Sequence, residues 1–261
     1  LMTGKRGLIM GLANDKSLAW GIAKQLREHG AELAFSYQGD ALKKRVGPLA
    51  EQLGSDFLIE CDVSDMAALD TAFDTLRSRW DTIDFVVHAI GFSDKSELRG
   101  KYVDTSLDNF LMTMNISAYS LVAVAKRAAA MMPDGGSILT LTYYGAEKVI
   151  PHYNVMGVAK AALETSVQYL ANDLGPDGIR VNTVVPSWMW GPNVQMYCQW
   201  QASERGVEPE DIKNELASAN ALRAMAADTD VAESVMFFLS DRSSMITGQR
   251  LLVNAGEYFD T

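Results

Sequence analysis

The chain has 261 residues, of which 48% are hydrophobic, so it can bury one large core within a single domain. Its 33 acidic and 23 basic residues give a net charge of -10, which opposes nonspecific binding to nucleic acid or to an anionic membrane. No apolar stretch approaches the ~20 residues of a membrane span, and no signal peptide is evident, so we expect a cytoplasmic protein with small-molecule chemistry. Cys61 and Cys198 lie far apart and outside metal-ligand spacing, so we assign no disulfide and no metal.

Short β-rich apolar runs alternate with longer helical patterns along the chain, which indicates a parallel sheet flanked by helices. The predicted strands are 7–10, 32–37, 56–61, 85–88, 137–142, 180–185 and 250–253. The predicted helices are 17–29, 41–53, 66–79, 106–132, 152–173 and 229–239. The fold prediction is therefore α/β, with a doubly wound seven-stranded parallel sheet in a single domain over residues 1–261.

The turn after the first strand has small residues followed by a helix start. Gly11 and Ala13 would let the backbone approach a pyrophosphate, and the amides of the following helix would favour its negative charge. The full G-x-G-x-x-G pattern is absent. A small-residue turn with Ser17 as a helix N-cap explains the segment equally well.

Further strand ends also suit a dinucleotide. Gln38 follows the second strand, where an acidic residue would select NAD through the ribose 2′-hydroxyl. Asp62 follows the third strand and could accept from the adenine amino group, although a solvated turn residue is the alternative. Ala89, Ile90 and Gly91 end the fourth strand beside the expected ribose, and a plain tight turn explains them nearly as well. The order of these residues along the strand ends favours a cofactor site.

Tyr153 and Lys160 are the candidates for proton chemistry. They are seven residues apart, which is about two helical turns, so their side chains should project from one face. A lysine cation within ~4–6 Å lowers a tyrosine pKa by roughly 1–3 units, and we expect Lys160 to do this for Tyr153. Tyr143 lies ten residues before Tyr153. The alternative is a surface lysine two turns below a packed tyrosine.

Residues 187–223 interrupt the alternation and are too many for a bare loop. Pro209 marks a helix start, with residues 211–222 as the helix body. Because ligands bind beyond the carboxyl ends of the strands, an insertion after the sixth strand should form a substrate lid. Its apolar side chains either line a pocket or pack the lid onto the body or onto another subunit: Trp188, Met189, Trp190, Met196, Tyr197 and Trp200.

Residues 4–182 resemble bacterial enoyl-acyl-carrier-protein reductases, which are divergent short-chain dehydrogenases/reductases with a Rossmann-like fold. The segments that carry the resemblance are Gly11-Leu12-Ala13-Asn14, Ser17-Leu18-Ala19-Trp20-Gly21, Ser36-Tyr37-Gln38-Gly39, Cys61-Asp62-Val63, His88-Ala89-Ile90-Gly91-Phe92 and the Tyr143/Tyr153/Lys160 set. The tyrosine-to-lysine spacing of seven is the most specific feature, since ordinary members of the superfamily use four. Tyr143 stands where those members have a catalytic serine, which argues against ketone reduction.

The resemblance implies NADH-dependent reduction of the trans-2 double bond of enoyl thioesters in fatty acid biosynthesis. Tyr153 would hydrogen-bond the thioester oxygen, Lys160 would hold the nicotinamide ribose, and Tyr143 would line the pocket. The substrate carrier would be acyl carrier protein or coenzyme A, and the assembly a homotetramer. Positions that match cofactor contacts in the family are Ser17, Leu18, Gln38, Asp62, Val63, Ile90 and Gly91, and Met189 would reach the carboxamide through its backbone.

Past Asn182 the sequence looks like ordinary short-chain dehydrogenases, in the segment 185–192 and again in 247–256. The chain is therefore either a natural divergent member or a hybrid of two parents. A short-chain alcohol dehydrogenase or ketone reductase, or an impaired hybrid that still binds dinucleotide, remains an alternative. The neutral Gln38 favours NADH, whereas the basic run 43–45 would suit NADPH if it is more than a solvated helix face.

Overall fold

The computed structural model describes residues 1–259, and for residues 192 and 193 the backbone alone. Within this range, parallel strands form one seven-stranded sheet in the order β3-β2-β1-β4-β5-β6-β7. The strands are β1 (Arg6–Met10), β2 (Glu32–Tyr37), β3 (Leu58–Glu60), β4 (Phe85–His88), β5 (Gly136–Leu141), β6 (Ile179–Pro186) and β7 (Arg250–Val253). The strand order reverses between β1 and β4, which is where a doubly wound sheet opens a crevice for ligands. The predicted Rossmann-like fold is confirmed.

Helices cover both faces of this sheet. They are α1 (Leu18–Glu28), α2 (Gly39–Gln52), α3 (Met66–Arg79), α4 (Lys95–Leu98), α5 (Leu107–Met114), α6 (Ser120–Ala129), α7 (Asn154–Leu174), α8 (Pro192–Arg205), α9 (Pro209–Ala219) and α10 (Asp228–Leu239). Two hydrophobic cores result, one containing residues of α3, α6 and α7 and the other residues of α1, α2 and α10. Successive residues of β1 enter opposite cores, Leu8 and Met10 in the first and Ile9 in the second, as expected for a parallel sheet buried on both faces. No helix among residues 1–259 combines the length and apolar character needed to cross a bilayer.

The predicted helix 106–132 is interrupted by a π-helical turn, Asn115–Tyr119, between α5 and α6. In this turn Ser117 packs under the loop after β4, where its hydroxyl accepts from the Phe92 N–H at 2.9 Å and donates to the Phe92 carbonyl at 3.0 Å. Just beyond the turn, the Ser120 hydroxyl lies 2.8 Å from Nε2 of the buried His88. The irregular turn therefore joins the long helix to the end of β4. Such turns are frequent at functional sites.

The predicted helix 152–173 starts later than expected. Tyr153 occupies the N-cap position of α7, between His152 and Asn154, which have positive φ angles of 62° and 38°. Left-handed backbone at two residues other than glycine is uncommon and interrupts the helix before it starts. Tyr153 therefore lies just before the helix that carries Lys160, whereas the sequence predicted both residues on one face of the same helix.

Residues 187–223 contain two helices rather than the one predicted. The start of α9 at Pro209 is confirmed, and α9 ends at Ala219. The unpredicted α8 packs on α9 around a small core of Cys198, Ala202 and Ile212. The two helices are also joined by an ion pair of 2.8 Å between Arg205 and Glu215. The region therefore has a core of its own.

Candidate active site

The parallel strands all end at one edge of the sheet, so the residues that follow them are brought together there. Most of the predicted site residues follow a strand end at this edge. Gly11 follows β1, Gln38 follows β2, Asp62 and Val63 follow β3, Ala89 to Gly91 follow β4, Tyr143 follows β5 and Met189 follows β6. The topology thus gathers the predicted residues into one region.

The turn between β1 and α1 depends on a glycine and a serine. Gly11 has a φ of +94°, and a Cβ there would lie 2.0 Å from the Ala89 carbonyl oxygen. Ser17 precedes α1 but makes no side-chain cap, because its hydroxyl instead accepts from the backbone N–H groups of Ala13 and Asn14, both at 3.1 Å. The first amides of α1 are therefore left without a serine cap, as an anion-binding helix start requires.

Gln38 and Asp62 form a polar pair at the ends of β2 and β3. The Gln38 amide donates to Asp62 Oδ2 at 2.8 Å, and Ser64 donates its N–H and its hydroxyl to Asp62 Oδ1 at 2.9 and 2.6 Å. Partial burial raises the pKa of Asp62, but the bonds from Ser64 and Gln38 outweigh it, so the pKa lies below its usual value. The two residues predicted for the adenosine half of a dinucleotide are thus in direct contact, and the pair carries one negative charge.

Tyr143 and Tyr153 are in ring contact. Their centroids are 5.0 Å apart with an interplanar angle of 68°, an edge-to-face arrangement. The Tyr153 ring also lies on the turn Tyr144–Ala146, where a Cβ on Gly145 would come within 2.3 Å of Tyr153 Cδ1. Burial and the nearby Glu257 raise the pKa of Tyr143 above its usual value. A hydrogen bond involving Trp188 opposes part of this rise.

The predicted acidification of Tyr153 by Lys160 is wrong for this structure. Burial raises the pKa of Tyr153 above its usual value, and Tyr143 and Glu164 raise it further. The Lys160 ammonium turns instead to β5, where it donates to the Leu141 carbonyl at 2.9 Å. The phenol is therefore held neutral.

Lys160 is itself almost fully buried, with 8% of its surface exposed. Burial lowers its pKa to about 8, although Glu164, one helical turn further along α7, acts in the opposite direction. The ammonium faces Gly91, since a Cβ on that glycine would lie 3.6 Å from Nζ. The backbone after β4 therefore lies next to the charge of Lys160.

Sequence reasoning missed Glu164 and its partners. Its carboxylate accepts from the Thr142 hydroxyl at 2.7 Å and from Arg250 at 3.0 Å, and Arg250 also pairs with Glu147. Burial raises the pKa of Glu164, while the bonds from Thr142 and Arg250 oppose that rise. The spacing of four between Lys160 and Glu164 was an available signal, because such residues are neighbours on a helix.

Met189 lies where the 187–223 region leaves the sheet. It forms an isolated parallel bridge with Ala226, and the hydrogen bond at this bridge, 3.0 Å, uses the N–H of Trp190 rather than that of Met189. Among the predicted lid residues, Trp188 and Tyr197 are in edge-to-face contact at 5.0 Å, whereas Met196 and Trp200 are mainly exposed. Met196 and Trp200 therefore do not pack on the body of this chain, and packing of the lid onto another subunit stays a prediction for them.

The chain is similar to known reductases over nearly its whole length. A family profile described as enoyl-(acyl carrier protein) reductase matches residues 11–257. Enoyl-acyl-carrier-protein reductase (NADH) 1 of Rhizobium meliloti (strain 1021) is 55% identical over 256 residues, with 98% of this chain and 91% of that protein covered.

Two solved structures have similar folds. FabI from Candidatus Liberibacter asiaticus has a TM-score of 0.88 and 43% identity, with 98% of this chain and 96% of that chain covered. The enoyl-acyl-carrier-protein reductase from Anaplasma phagocytophilum in complex with NAD has a TM-score of 0.87 and 48% identity, with 98% and 92% covered. The match to the family profile continues past residue 182 as far as residue 257, so the resemblance is not limited to residues 4–182, the range that the sequence motifs indicated. Both interpretations of the C-terminal part, a natural divergent member and a hybrid of two parents, stay predictions.

Proposed function

Because the chain belongs to the enoyl-(acyl carrier protein) reductase family, we propose that it is an oxidoreductase that uses NADH to reduce the trans-2 double bond of enoyl thioesters on acyl carrier protein. This reaction is a step of fatty acid biosynthesis. The observation that carries the proposal is the edge-to-face contact of Tyr143 with Tyr153. Tyr143 stands where ordinary short-chain dehydrogenases have the serine that polarises a ketone.

The residues at the strand ends fit a dinucleotide. The start of α1, whose first amides have no serine cap, suits a pyrophosphate, and Gly11 and Ala13 before it carry no bulky side chain. The pair of Gln38 and Asp62 offers an amide and a carboxylate but no cation, which suits the ribose hydroxyls of NAD better than a 2′-phosphate. Leu18, Val63 and Ile90 would supply apolar contacts around these groups.

Tyr153 acts in this proposal as a neutral hydrogen-bond donor. Bound NADH supplies the hydride for the β-carbon of the substrate. Negative charge then develops on the thioester oxygen, and the Tyr153 hydroxyl donates to that oxygen most strongly in the transition state. A proton from solvent then adds to the α-carbon of the enolate and completes the reduction. Because burial keeps the phenol protonated, the donor is present throughout the neutral pH range.

Lys160 binds and orients rather than acidifying Tyr153. The Leu141 carbonyl accepts one of the N–H donors of its ammonium and fixes its direction. The ammonium then stands beside Gly91, where we place the nicotinamide ribose. Met189 would contact the carboxamide through its backbone, and Tyr143 would form one wall of the substrate pocket.

The test follows NADH loss with crotonyl thioesters of acyl carrier protein and of coenzyme A, and then with ketones. Turnover of the enoyl thioesters without ketone turnover supports the proposal. Ketone turnover alone would establish the alternative, an alcohol dehydrogenase or ketone reductase. Tight NADH binding without turnover of any substrate would indicate an impaired enzyme. Comparing the two thioesters also decides between acyl carrier protein and coenzyme A as the carrier.

We further propose a homotetramer and a cytoplasmic location. Support for the tetramer comes from α5 and the turn before it, where apolar side chains are exposed, among them Val103, Leu107 and Leu111. An exposed apolar face of this kind is typical of a subunit interface. Light scattering on the purified protein, with Leu111→Lys as the interface variant, measures the assembly directly. Residues 187–223 would serve as the substrate lid, which crystals with and without NADH can test.

A further inference from the structure

We infer that Tyr258, in the segment after β7 (residues 254–259), is a positioning residue of the active site that seats Tyr153 through the Tyr144 turn. The inference rests on the proposed function for its kinetic consequence, although its structural part does not. Neither sequence pattern nor the proposed mechanism gave this segment a role. The geometry assigns it one through a short series of contacts.

The first contact is between two rings. Tyr258 and Tyr144 are stacked, with centroids 3.5 Å apart and planes inclined by 20°. Tyr144 begins the 3₁₀ turn Tyr144–Ala146, which lies directly after the predicted catalytic residue Tyr143. Tyr258 thus covers the side chain at the start of this turn.

The turn is the surface on which Tyr153 rests. Its backbone is closed by hydrogen bonds from the N–H of Ala146 to the Tyr143 carbonyl, at 2.9 Å, and from Glu147 and Lys148 to the Tyr144 carbonyl, at 3.0 and 3.1 Å. Gly145, inside the turn, lies so close to the Tyr153 ring that a Cβ would overlap it. A shift of the turn therefore moves the Tyr153 ring, because the two surfaces are closely packed and have no empty space between them.

The segment that carries Tyr258 is held in place independently of the stack. The Asn254 side chain donates to the Tyr258 carbonyl at 2.8 Å and accepts from the Gly256 N–H at 2.9 Å. Backbone N–H groups of Ala221 and Leu222 donate to the carbonyls of Gly256 and Ala255 at 3.1 and 3.0 Å. The segment is therefore anchored to the end of the 187–223 region, and Tyr258 joins that region to the turn under Tyr153.

The ring of Tyr258, and not its hydroxyl, makes the contact. The hydroxyl is buried and finds no hydrogen-bond partner among residues 1–259. A phenylalanine would therefore keep the stack and remove an unpaired polar atom, whereas leucine or alanine would remove the stack. This gives a conservative variant that should rescue the function.

The positioning role predicts a loss of turnover without a loss of cofactor affinity. The residues proposed to bind the adenosine and pyrophosphate follow β1 to β4, and Tyr258 contacts the loop after β5. Small displacements of a catalytic group reduce kcat steeply, while ligand contacts elsewhere are kept. Tyr258→Ala and Tyr258→Leu should therefore lower kcat about tenfold or more and leave the NADH Kd within about twofold.

The experiment compares Tyr258→Ala, Tyr258→Leu and Tyr258→Phe with Phe259→Ala, which removes the neighbouring but exposed aromatic ring. Steady-state rates give kcat and KM, fluorescence titration gives the NADH Kd, and hydrogen exchange of the cofactor-free protein follows the amides of Ala146, Glu147 and Lys148. We expect faster exchange at these amides and lower kcat in the alanine and leucine variants, and values near those of the unchanged protein for Tyr258→Phe and Phe259→Ala.

Unchanged kcat together with unchanged exchange in both stack-removing variants would overturn the inference. Equal loss of kcat, NADH affinity and thermal stability would also overturn it, because that pattern marks a general structural role. If the unchanged protein reduces no enoyl thioester, the proposed function fails, and the exchange measurement still tests whether Tyr258 fixes the turn.

Discussion

Gly145 lies against the ring of Tyr153, so that a Cβ at residue 145 would be 2.3 Å from Cδ1 and 2.7 Å from Cε1. Real Cβ contacts are longer than this, and Gly145→Ala must therefore displace the ring or the turn. We expect a loss of about 1–3 kcal/mol in the free energy of unfolding and a clear fall in kcat. Urea unfolding and steady-state kinetics measure the two effects.

Gly47→Ala is the matched control for this change. Gly47 lies within α2, and a Cβ there meets only Leu58 at 3.6 Å, an ordinary contact distance. The gain in helix propensity from alanine, roughly 0.5–1 kcal/mol, is opposed by contact of the new Cβ with the ring of Pro48, which follows it in the helix. We therefore expect a change of less than about 1 kcal/mol in the free energy of unfolding and an unchanged kcat. Full activity in Gly145→Ala would show that the fit of Tyr153 to the turn does not matter for catalysis.

The proposed roles of Tyr153 and Lys160 predict different defects. Tyr153→Phe removes one hydrogen-bond donor to the developing oxyanion, so kcat should fall about 10²–10³-fold while the NADH Kd stays nearly the same. Lys160→Ala removes the cation beside Gly91 and should weaken both NADH binding and turnover. Tyr169→Phe, an exposed tyrosine on α7, is the control. Equal loss of NADH affinity in the Tyr153 and Lys160 variants would contradict the assignment.

The burial of Lys160 predicts how stability depends on pH. Its pKa is about 8 in the folded protein and 10.5 ordinarily, so between these values the unfolded chain binds more protons. The contribution of Lys160 to the free energy of unfolding is therefore lowest below pH about 8 and rises as the pH increases toward about 10.5. Urea unfolding of the cofactor-free protein at pH about 7.5 and about 9 measures the rise.

Lys160→Met removes the buried amine and should therefore remove this contribution to the pH dependence. The difference in the free energy of unfolding between the two proteins isolates the contribution, because groups common to both titrate in the same way. Buried tyrosines with raised pKa values and Cys61, whose pKa burial raises to about 12, act in the opposite direction at higher pH. An identical pH dependence in protein and variant would mean that Lys160 is not buried as a charged group.

The polar pair at the ends of β2 and β3 predicts a preference for NADH over NADPH. The Asp62 carboxylate accepts from the Gln38 amide at 2.8 Å, so its negative charge lies next to the residue that we place at the ribose 2′-hydroxyl and would repel a 2′-phosphate there. Asp62→Asn should narrow the preference in kcat/KM about tenfold, which corresponds to ~1.4 kcal/mol. Asp134→Asn, the same charge change in the loop before β5, should leave it unchanged. A preference for NADPH in the unchanged protein would refute the cofactor assignment.

The fold was predictable because its strands are continuous apolar runs between polar turns. Strands β2, β4 and β7 have the predicted bounds, and the residues predicted around the cofactor at Gly11, Gln38, Asp62 and Gly91 follow from the strand ends. Helix α8 was missed because its apolar residues do not form one stripe. Cys198 and Ala202 pack on α9, whereas Met196 and Trp200 face outward.

The electrostatics of the site were not predictable in the same way. The sequence shows the spacing of Tyr153 and Lys160, but not the effect of the lysine cation on the pKa of the tyrosine. That effect depends on where Nζ points and on how much solvent surrounds the phenol. Both are tertiary properties, since Nζ bonds to β5 and the phenol is buried by the turn before it. The pairing of Glu164 with Arg250 joins residues 86 apart, which no local pattern reveals.

The π turn between α5 and α6 restricts how the length of this chain can change. Deleting one residue from Asn115–Tyr119 would convert the turn to regular α-helix and rotate everything before it by about 100° relative to α6. The Ser117 hydroxyl would then lose its hydrogen bonds to the backbone of Phe92, which hold the loop that carries Gly91. Insertions and deletions in this helix should therefore be far more harmful than substitutions, although most of the helix lies outside the proposed cofactor site.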